Sequence, residues 1–101
     1  MKYIKKKLTI DKVKIEDIAK KFDTPTYCYS YTQLKKNVNN FKKNFRSFSP
    51  LICFAIKSNT NLNLIREIQK FGLGADVVSM GELMMALKAG INPKKIVFSG
   101  V

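Results

Sequence analysis

An uninterrupted run of apolar residues at positions 51–56 limits most strongly what this chain can fold into. Strands that are exposed on one face alternate apolar and polar residues, whereas strands buried on both faces are apolar throughout. Two further short apolar segments start near residues 75 and 95, and helical patterns separate the three. Because this spacing is typical of right-handed βαβ units, we predict a parallel sheet with helices packed against it.

Four helices are predicted from apolar residues that recur at intervals of three and four positions. The longest has apolar side chains on one face and lysines on the others, so we expect one side to pack and the other to face water. Its apolar face consists of Leu34, Val38, Phe41, Phe45 and Phe48. The predicted helices cover residues 15–22, 31–48, 62–71 and 80–88.

Two serines have the spacing that begins a helix. Ser30 is followed by Gln33, and Ser79 is followed by Glu82. In such a capping box the serine hydroxyl accepts from a backbone N–H of the first turn, and the acid or amide reaches back to another. We therefore predict that these serines cap the helices that follow them.

Proline and glycine mark other boundaries. Pro25 is expected to end the first helix, because the residue before a proline avoids the helical conformation. The β-branched and aromatic residues 26–29 that follow are predicted to form a strand. Gly72 and Gly74 are expected to end the third helix, and Gly90 has the position of a helix C-cap glycine.

The predicted elements form only part of a closed architecture. A complete (β/α)8 barrel needs about 250 residues, whereas this chain has 101. Three parallel strands also leave open edges. We therefore expect an α/β fold that is the N-terminal part of such a barrel, truncated after its third strand. Residues 1–30 would lead into the fold, and residues 31–101 would form the partial barrel.

The composition excludes several classes of site. The chain has no histidine and only two cysteines, Cys28 and Cys53, so zinc sites of the usual Cys/His type and histidine-activated nucleophiles are absent, and no metal site is predicted. Both cysteines are expected to be buried small hydrophobes. No apolar run approaches the length of a membrane span, and no secretory signal is present, so we expect a cytoplasmic protein.

The net charge of +12 leaves one alternative function open. A strongly basic chain can bind nucleic acid, and a small basic binding module is a hypothesis from a different class. However, the chain has neither a helix-turn-helix signature nor interleaved basic and aromatic residues. A solvated lysine surface explains the charge, and no nucleic-acid partner is predicted.

Lys57 is the residue that most strongly suggests chemistry. It directly follows the apolar segment 51–56, and strand C-termini meet at the active-site end of a parallel barrel. A lysine there would be partly desolvated, which leaves more free amine to condense with a carbonyl group. The residues alone also allow a lysine that simply extends to the surface.

Two acidic residues are further candidates. Asp76 lies in the second apolar segment, where an aspartate needs a partner. Either it is a charged neighbour of a site, or it accepts a hydrogen bond from the adjoining loop. For Glu82 the capping box is a sufficient explanation, and its negative charge argues against a phosphate at that helix start.

The motifs around these residues resemble a known family. Phe54-Ala-Ile-Lys-Ser-Asn59 resembles the Tyr-Ala-Val-Lys-Ala-Asn signature of the fold-type III pyridoxal-phosphate decarboxylases. Gly72-Leu-Gly-Ala-Asp-Val-Val-Ser-Met-Gly-Glu-Leu83 is similar to a stretch of the diaminopimelate decarboxylase branch. Asp23-Thr-Pro-Thr-Tyr-Cys-Tyr29 and Ile96-Val-Phe-Ser-Gly-Val101 also match in order. The resemblance spans about residues 15–101.

The resemblance implies a barrel of the alanine racemase and decarboxylase type, with pyridoxal 5′-phosphate as cofactor. Lys57 would hold the cofactor aldehyde, Ala55 would line the pocket, Asp76 would lie near the attached nitrogen, and Glu82 would act from a greater distance. The histidine, phosphate loop and partner-subunit cysteine of the family find no match here. The isolated chain is therefore expected to be inactive.

The implied reaction is decarboxylation of meso-diaminopimelate to L-lysine, an amino-acid substrate, by a homodimeric full-length enzyme without a membrane partner. Ornithine, arginine or carboxynorspermidine decarboxylases of the same fold are alternatives, because substrate choice depends on residues that find no match in this chain. A decayed gene product without function is a further alternative.

Overall fold

The computed structural model describes all 101 residues, from Met1 to Val101. They form two compact units, Met1–Asn44 and Phe45–Val101. No helix in either unit has both the length and the apolar character that crossing a membrane requires.

The first unit contains a small antiparallel sheet that the sequence did not predict. Its strands are β1 (Lys2–Ile4), β2 (Lys7–Ile10) and β3 (Val13–Lys14). Each connection is a two-residue turn in which both residues have positive φ, at Lys5 and Lys6 and at Asp11 and Lys12. Such turns usually contain glycine or asparagine. The lysine-rich turns carry no such signal, which explains why the sheet was missed.

Two helices complete the first unit, α1 (Ile15–Phe22) and α2 (Tyr31–Asn44). The prediction for α1 is confirmed, and it ends before the cis Thr24–Pro25 bond. The strand predicted at residues 26–29 is wrong. Extended residues become a strand only when a neighbouring strand pairs with their backbone, and these residues join neither sheet.

The prediction for α2 holds only in part. The helix ends at Asn44, four residues earlier than expected. Val38 is its one buried residue, whereas Phe41, Phe45 and Phe48 are exposed. The apolar spacing is that of a packed face, but no element of the first unit covers the C-terminal half of this helix.

The second unit has the predicted order of strands and helices. It contains β4 (Cys53–Ala55), α3 (Leu62–Lys70), β5 (Gly74–Val77), α4 (Met80–Lys88) and β6 (Ile96–Phe98). The strand order is β4-β5-β6, and both pairs are parallel. The predicted α/β architecture and its open edges are confirmed. Gly74 begins β5 and does not end α3, which corrects its predicted role, whereas Gly72 and Gly90 have the positive φ expected after a helix.

The core of the second unit lies between the sheet and its helices. Fully buried side chains from a short turn, α3 and β5 meet there, with Ile56, Ile65 and Val77 at its centre. The strand expected to be buried on both faces is shorter than predicted, and its residues are only half-buried. The reason is that β4 is an edge strand with a neighbour on one side only.

Candidate active site

The two faces of the parallel sheet differ in character. One face carries Ala75 and Val77 of β5, which are almost fully buried in the core. Side chains alternate between faces along a strand, so Asp76 belongs to the opposite face. Cα register places Asp76 beside Ala55 of β4 and Val97 of β6. These three residues form one row on the sheet face that is not covered by the core.

Lys57 lies at the carboxyl end of this sheet. A short 3₁₀ helix, Ile56–Ser58, follows β4 directly and ends the strand. Ile56 is buried in the core, whereas the next residue, Lys57, is exposed. The expected partial desolvation of this lysine is therefore not observed, because β4 is the edge strand and no element of the second unit covers its outer end.

The Lys57 amine takes part in no hydrogen bond or ion pair. A fixed contact would hold the amine away from a ligand or keep it charged. A primary amine without such a partner, two residues beyond the strand row, has the chemistry needed to condense with an aldehyde. The Lys57 amine therefore fits a pyridoxal cofactor, which carries an aldehyde group.

Asp76 has a defined partner. The Ser99 hydroxyl donates a 2.6 Å hydrogen bond to Asp76 Oδ1. Asp76 thus has the hydrogen-bond partner that an aspartate in this strand needs, but Ser99 follows the neighbouring strand β6 and does not belong to the loop that adjoins β5. This bond leaves Asp76 Oδ2 without a partner. The other interpretation, in which the carboxylate interacts with a neighbouring charged group, is therefore still compatible with this geometry.

Glu82 is bound to the backbone at the start of α4. Its Oε2 accepts from the Val78 N–H at 2.9 Å, and its own N–H donates to Ser79 Oγ at 3.2 Å. The capping interaction is present, although the carboxylate reaches Val78 and not Ser79. This helix start is already satisfied and carries a negative charge, so it offers little to a phosphate.

At the other predicted capping box, Ser30 accepts from the Gln33 N–H at 3.0 Å, as expected. The Gln33 side chain does not reach back, however, and donates to Asn37 within the helix. A second N–H of this helix start, that of Thr32, donates to the Asp11 carboxylate, which sequence spacing could not identify.

The two cysteines differ from expectation. Cys28 is exposed and Cys53 is half-buried, so neither is a fully buried hydrophobe. Cys53 lies in register with Gly74, on the same sheet face as Asp76. Burial raises the pKa of the Cys53 thiol, and the negative charge of Asp76 raises it further. The pKa of Cys53 thus depends in part on the charge of Asp76 on the same sheet face.

Sequence reasoning missed two residues of this face, Ser99 and Cys53. Ser99 lies inside the quoted motif Phe98-Ser-Gly-Val101, but the motif gave it no role. Its only signal is its spacing, two residues after Val97 and therefore on the Asp76 side of the sheet.

Comparison with protein families gives a match over most of the chain. Residues 31–101 match the model described as "Pyridoxal-dependent decarboxylase, pyridoxal binding domain". The match covers both acidic candidates and Lys57, together with the whole parallel sheet.

Several characterised proteins are similar to the chain. A diaminopimelate decarboxylase of Helicobacter pylori strain J99 is 45% identical over 86 residues, which are 85% of this chain and 21% of the relative. The diaminopimelate decarboxylase of Aquifex aeolicus is 41% identical over 101 residues, all of this chain and 24% of the relative. The chain thus spans about a quarter or less of the length of these relatives.

A solved structure shows the same fold. The crystal structure of diaminopimelate decarboxylase from M. jannaschii in co-complex with L-lysine superimposes with a TM-score of 0.88 and 38% identity. The superposition covers 93% of this chain and 23% of that one.

Proposed function

Because this chain belongs to the pyridoxal-dependent decarboxylases, we propose that the full-length protein is a diaminopimelate decarboxylase. The reaction removes one carboxyl group of meso-diaminopimelate as CO2, places a proton on the same carbon and yields L-lysine. The observation that carries this proposal is the unpaired Lys57 amine at the carboxyl end of β4, inside the segment that matches the pyridoxal binding domain. Relatives of that name, one of them crystallised with L-lysine, support the substrate.

In this proposal, Lys57 holds the cofactor through its ε-amine. The small side chain of Ala55, in the same row as Asp76, leaves room for the cofactor ring. When bound, pyridoxal 5′-phosphate supplies an electron sink for the bond that breaks. Asp76 stabilises positive charge near the Lys57 nitrogen. Glu82 supports the site from further away, because its carboxylate is bound to the Val78 N–H and thereby fixes the loop after β5.

The proposal extends to the state of the whole protein. We expect a homodimer in the cytoplasm, in line with the family resemblance, and sedimentation analysis of the full-length protein tests the first point. We also expect the isolated chain to release no CO2 from diaminopimelate, since it contains the amine but no histidine to stack on the cofactor.

Substitution of Lys57 is the direct test. In the full-length protein, Lys57→Arg keeps the positive charge but removes the nucleophilic amine, so the visible absorption of the attached cofactor and the release of CO2 should both disappear. Lys88→Arg is the matched control, because Lys88 is also exposed and lies at the end of α4. An absorption band that survives in Lys57→Arg would remove this lysine from the reaction.

Substrate identity needs a separate experiment. The purified enzyme should decarboxylate meso-diaminopimelate in preference to ornithine, arginine and carboxynorspermidine at equal concentrations. A preference for one of the other three would keep the family and change the substrate. Nucleic-acid binding that persists above about 200 mM salt with sequence preference would favour the basic binding module instead.

A further inference from the structure

The Asp76 carboxylate is held at one oxygen only. Ser99 Oγ donates to Asp76 Oδ1 at 2.6 Å, a short hydrogen bond. Asp76 forms no ion pair, and its Oδ2 accepts no hydrogen bond. One oxygen is therefore fixed and the other remains available to a positively charged group.

The sheet itself sets the position of Ser99. The Ser99 N–H donates to the Val77 carbonyl at 3.0 Å, so the hydrogen-bond ladder continues one residue past the end of β6. Val97 lies opposite Asp76, and Ser99, two residues later, lies on the same face of the sheet as Val97 and Asp76. The hydroxyl thus reaches Asp76 from a backbone position that a flexible loop would not provide.

Lys57 is close enough along the sheet for this arrangement to matter. It follows Ala55 by two residues, and Ala55 lies opposite Asp76. Neighbouring strands are about 4.8 Å apart, and the two residues from Ala55 to Lys57 add at most about 7 Å of chain, so the two α-carbons lie within about 12 Å of each other. An extended lysine and an aspartate can meet across that distance.

We propose that Ser99 is a positioning residue, whose hydroxyl orients the Asp76 carboxylate so that its free oxygen stabilises positive charge on the Lys57 nitrogen. This inference rests on the proposed function, because it assumes that Lys57 holds the cofactor. Ser99 acts through Asp76 and touches neither cofactor nor substrate in this role.

The test measures the dissociation constant of pyridoxal 5′-phosphate in the full-length protein, from the absorption of the attached cofactor. Ser99→Ala should weaken binding about tenfold, the effect of one lost hydrogen bond to a charged group. Ser99→Thr keeps the hydroxyl and should restore binding. Ser47→Ala is the control, since Ser47 is exposed and forms no hydrogen bond.

A double-substitution cycle separates positioning from a general structural effect. If Ser99 acts through Asp76, then Ser99→Ala should weaken binding no further in a protein that already carries Asp76→Asn. The unfolding midpoint of the cofactor-free protein, measured in parallel, records any loss of stability. A second tenfold loss in the Asp76→Asn background would overturn the inference.

The two proposals fail in different ways. If the wild-type protein attaches the cofactor at Lys57 but Ser99→Ala binds it equally well, the role of Ser99 is wrong and the proposed function stands. If peptide mapping after borohydride reduction finds no cofactor on Lys57 of the wild-type protein, the proposed function is wrong and the inference falls with it.

Discussion

The two units of the chain are held together in different ways. In Phe45–Val101, buried aliphatic side chains from the sheet and two helices form one continuous core. In Met1–Asn44, only Thr9, Ile10 and Val38 are buried, and polar contacts fix the elements. Apolar spacing therefore predicts the second unit well, whereas in the first unit it locates the two helices but misses the sheet, because periodicity does not report polar contacts or turn geometry.

Within the first unit, the start of α2 shows what replaces a core. Asp11 accepts from the Ser30 hydroxyl at 2.7 Å and from the Thr32 N–H at 3.0 Å. Ser30 in turn accepts from the Gln33 N–H. Two side chains that are far apart in the sequence, Asp11 and Ser30, thus satisfy two of the N–H groups that a helix start leaves free.

The largest effect is expected from removing a core side chain. Ile65→Ala should lower the free energy of unfolding by about 2–5 kcal/mol, because it leaves a cavity beside Ile56 and Val77. Ile4→Ala, the same change at a partly exposed position of the first unit, should cost about 1 kcal/mol or less. Urea denaturation measures both. Equal losses would mean that the two units do not differ as described.

A smaller but still clear effect is expected at Gly74. A Cβ there would overlap the Lys95 carbonyl oxygen, so the backbone of β5 or of the segment just before β6 must shift. Gly74→Ala should therefore destabilise the second unit by about 1–3 kcal/mol in thermal or urea unfolding.

Gly81→Ala is the matched control for this change. Gly81 lies in α4, and a Cβ there would meet nothing closer than 3.9 Å. Alanine favours a helix over glycine, so this variant should be neutral or slightly more stable. A loss at Gly81 as large as at Gly74 would contradict the close approach of β5 to the Lys95 backbone.

In the first unit, loss of the Ser30 cap should cost about 1 kcal/mol. Ser30→Ala removes an acceptor from the Gln33 N–H and a donor to Asp11, whereas Ser30→Thr retains both groups and should behave like the wild type. Amide hydrogen exchange at the start of α2 would show the difference. Unchanged protection there in Ser30→Ala would exclude the cap as a support of this helix.

The same cap should respond to pH. The Ser30 hydroxyl, followed by the Thr32 N–H, holds the pKa of Asp11 below its ordinary value of 3.8. Because the folded-state pKa is lowered, ionised Asp11 stabilises the fold fully at pH values above 3.8. This stabilisation is lost as the pH falls through the folded-state pKa. Circular dichroism of α2 during acid titration should therefore show a transition that Asp11→Asn lacks. Glu16, whose pKa Lys7 lowers, is present in both proteins and cancels from the comparison.

The smallest effect is electrostatic and lies on the open sheet face. Burial is the first cause of the raised Cys53 pKa, and Asp76 is the second. Asp76→Asn should therefore lower the Cys53 pKa and speed thiol labelling at a fixed pH near neutrality, measured with Cys28 replaced by serine. Glu82→Gln should leave the labelling rate unchanged, because Glu82 does not contribute to that pKa. A faster rate in both variants would mean that the effect is not specific to Asp76.

Three features could be predicted from the sequence for a physical reason. The apolar segments predicted the parallel order of the second unit, because short apolar strands that alternate with helical patterns are typical of βαβ units. Capping residues located the starts of α2 and α4, since they act within one turn of helix. Lys57 could be identified because it directly follows an apolar strand, and its exposure agrees with the surface position that the residues alone left open.

Other features needed the folded chain. The N-terminal sheet depends on positive φ at lysines and an aspartate, which no local residue preference signals. The partners Asp11 and Ser30 are 19 positions apart, and Asp76 and Ser99 are 23 apart.

The sequence by itself thus determined which segments are helices and parallel strands, and which amine follows the first of those strands. Only the tertiary structure decided that Ser99 holds Asp76 and that Cys53 lies on the same sheet face. The reason is that periodicity and capping act between residues a few positions apart, whereas a strand register brings distant residues side by side.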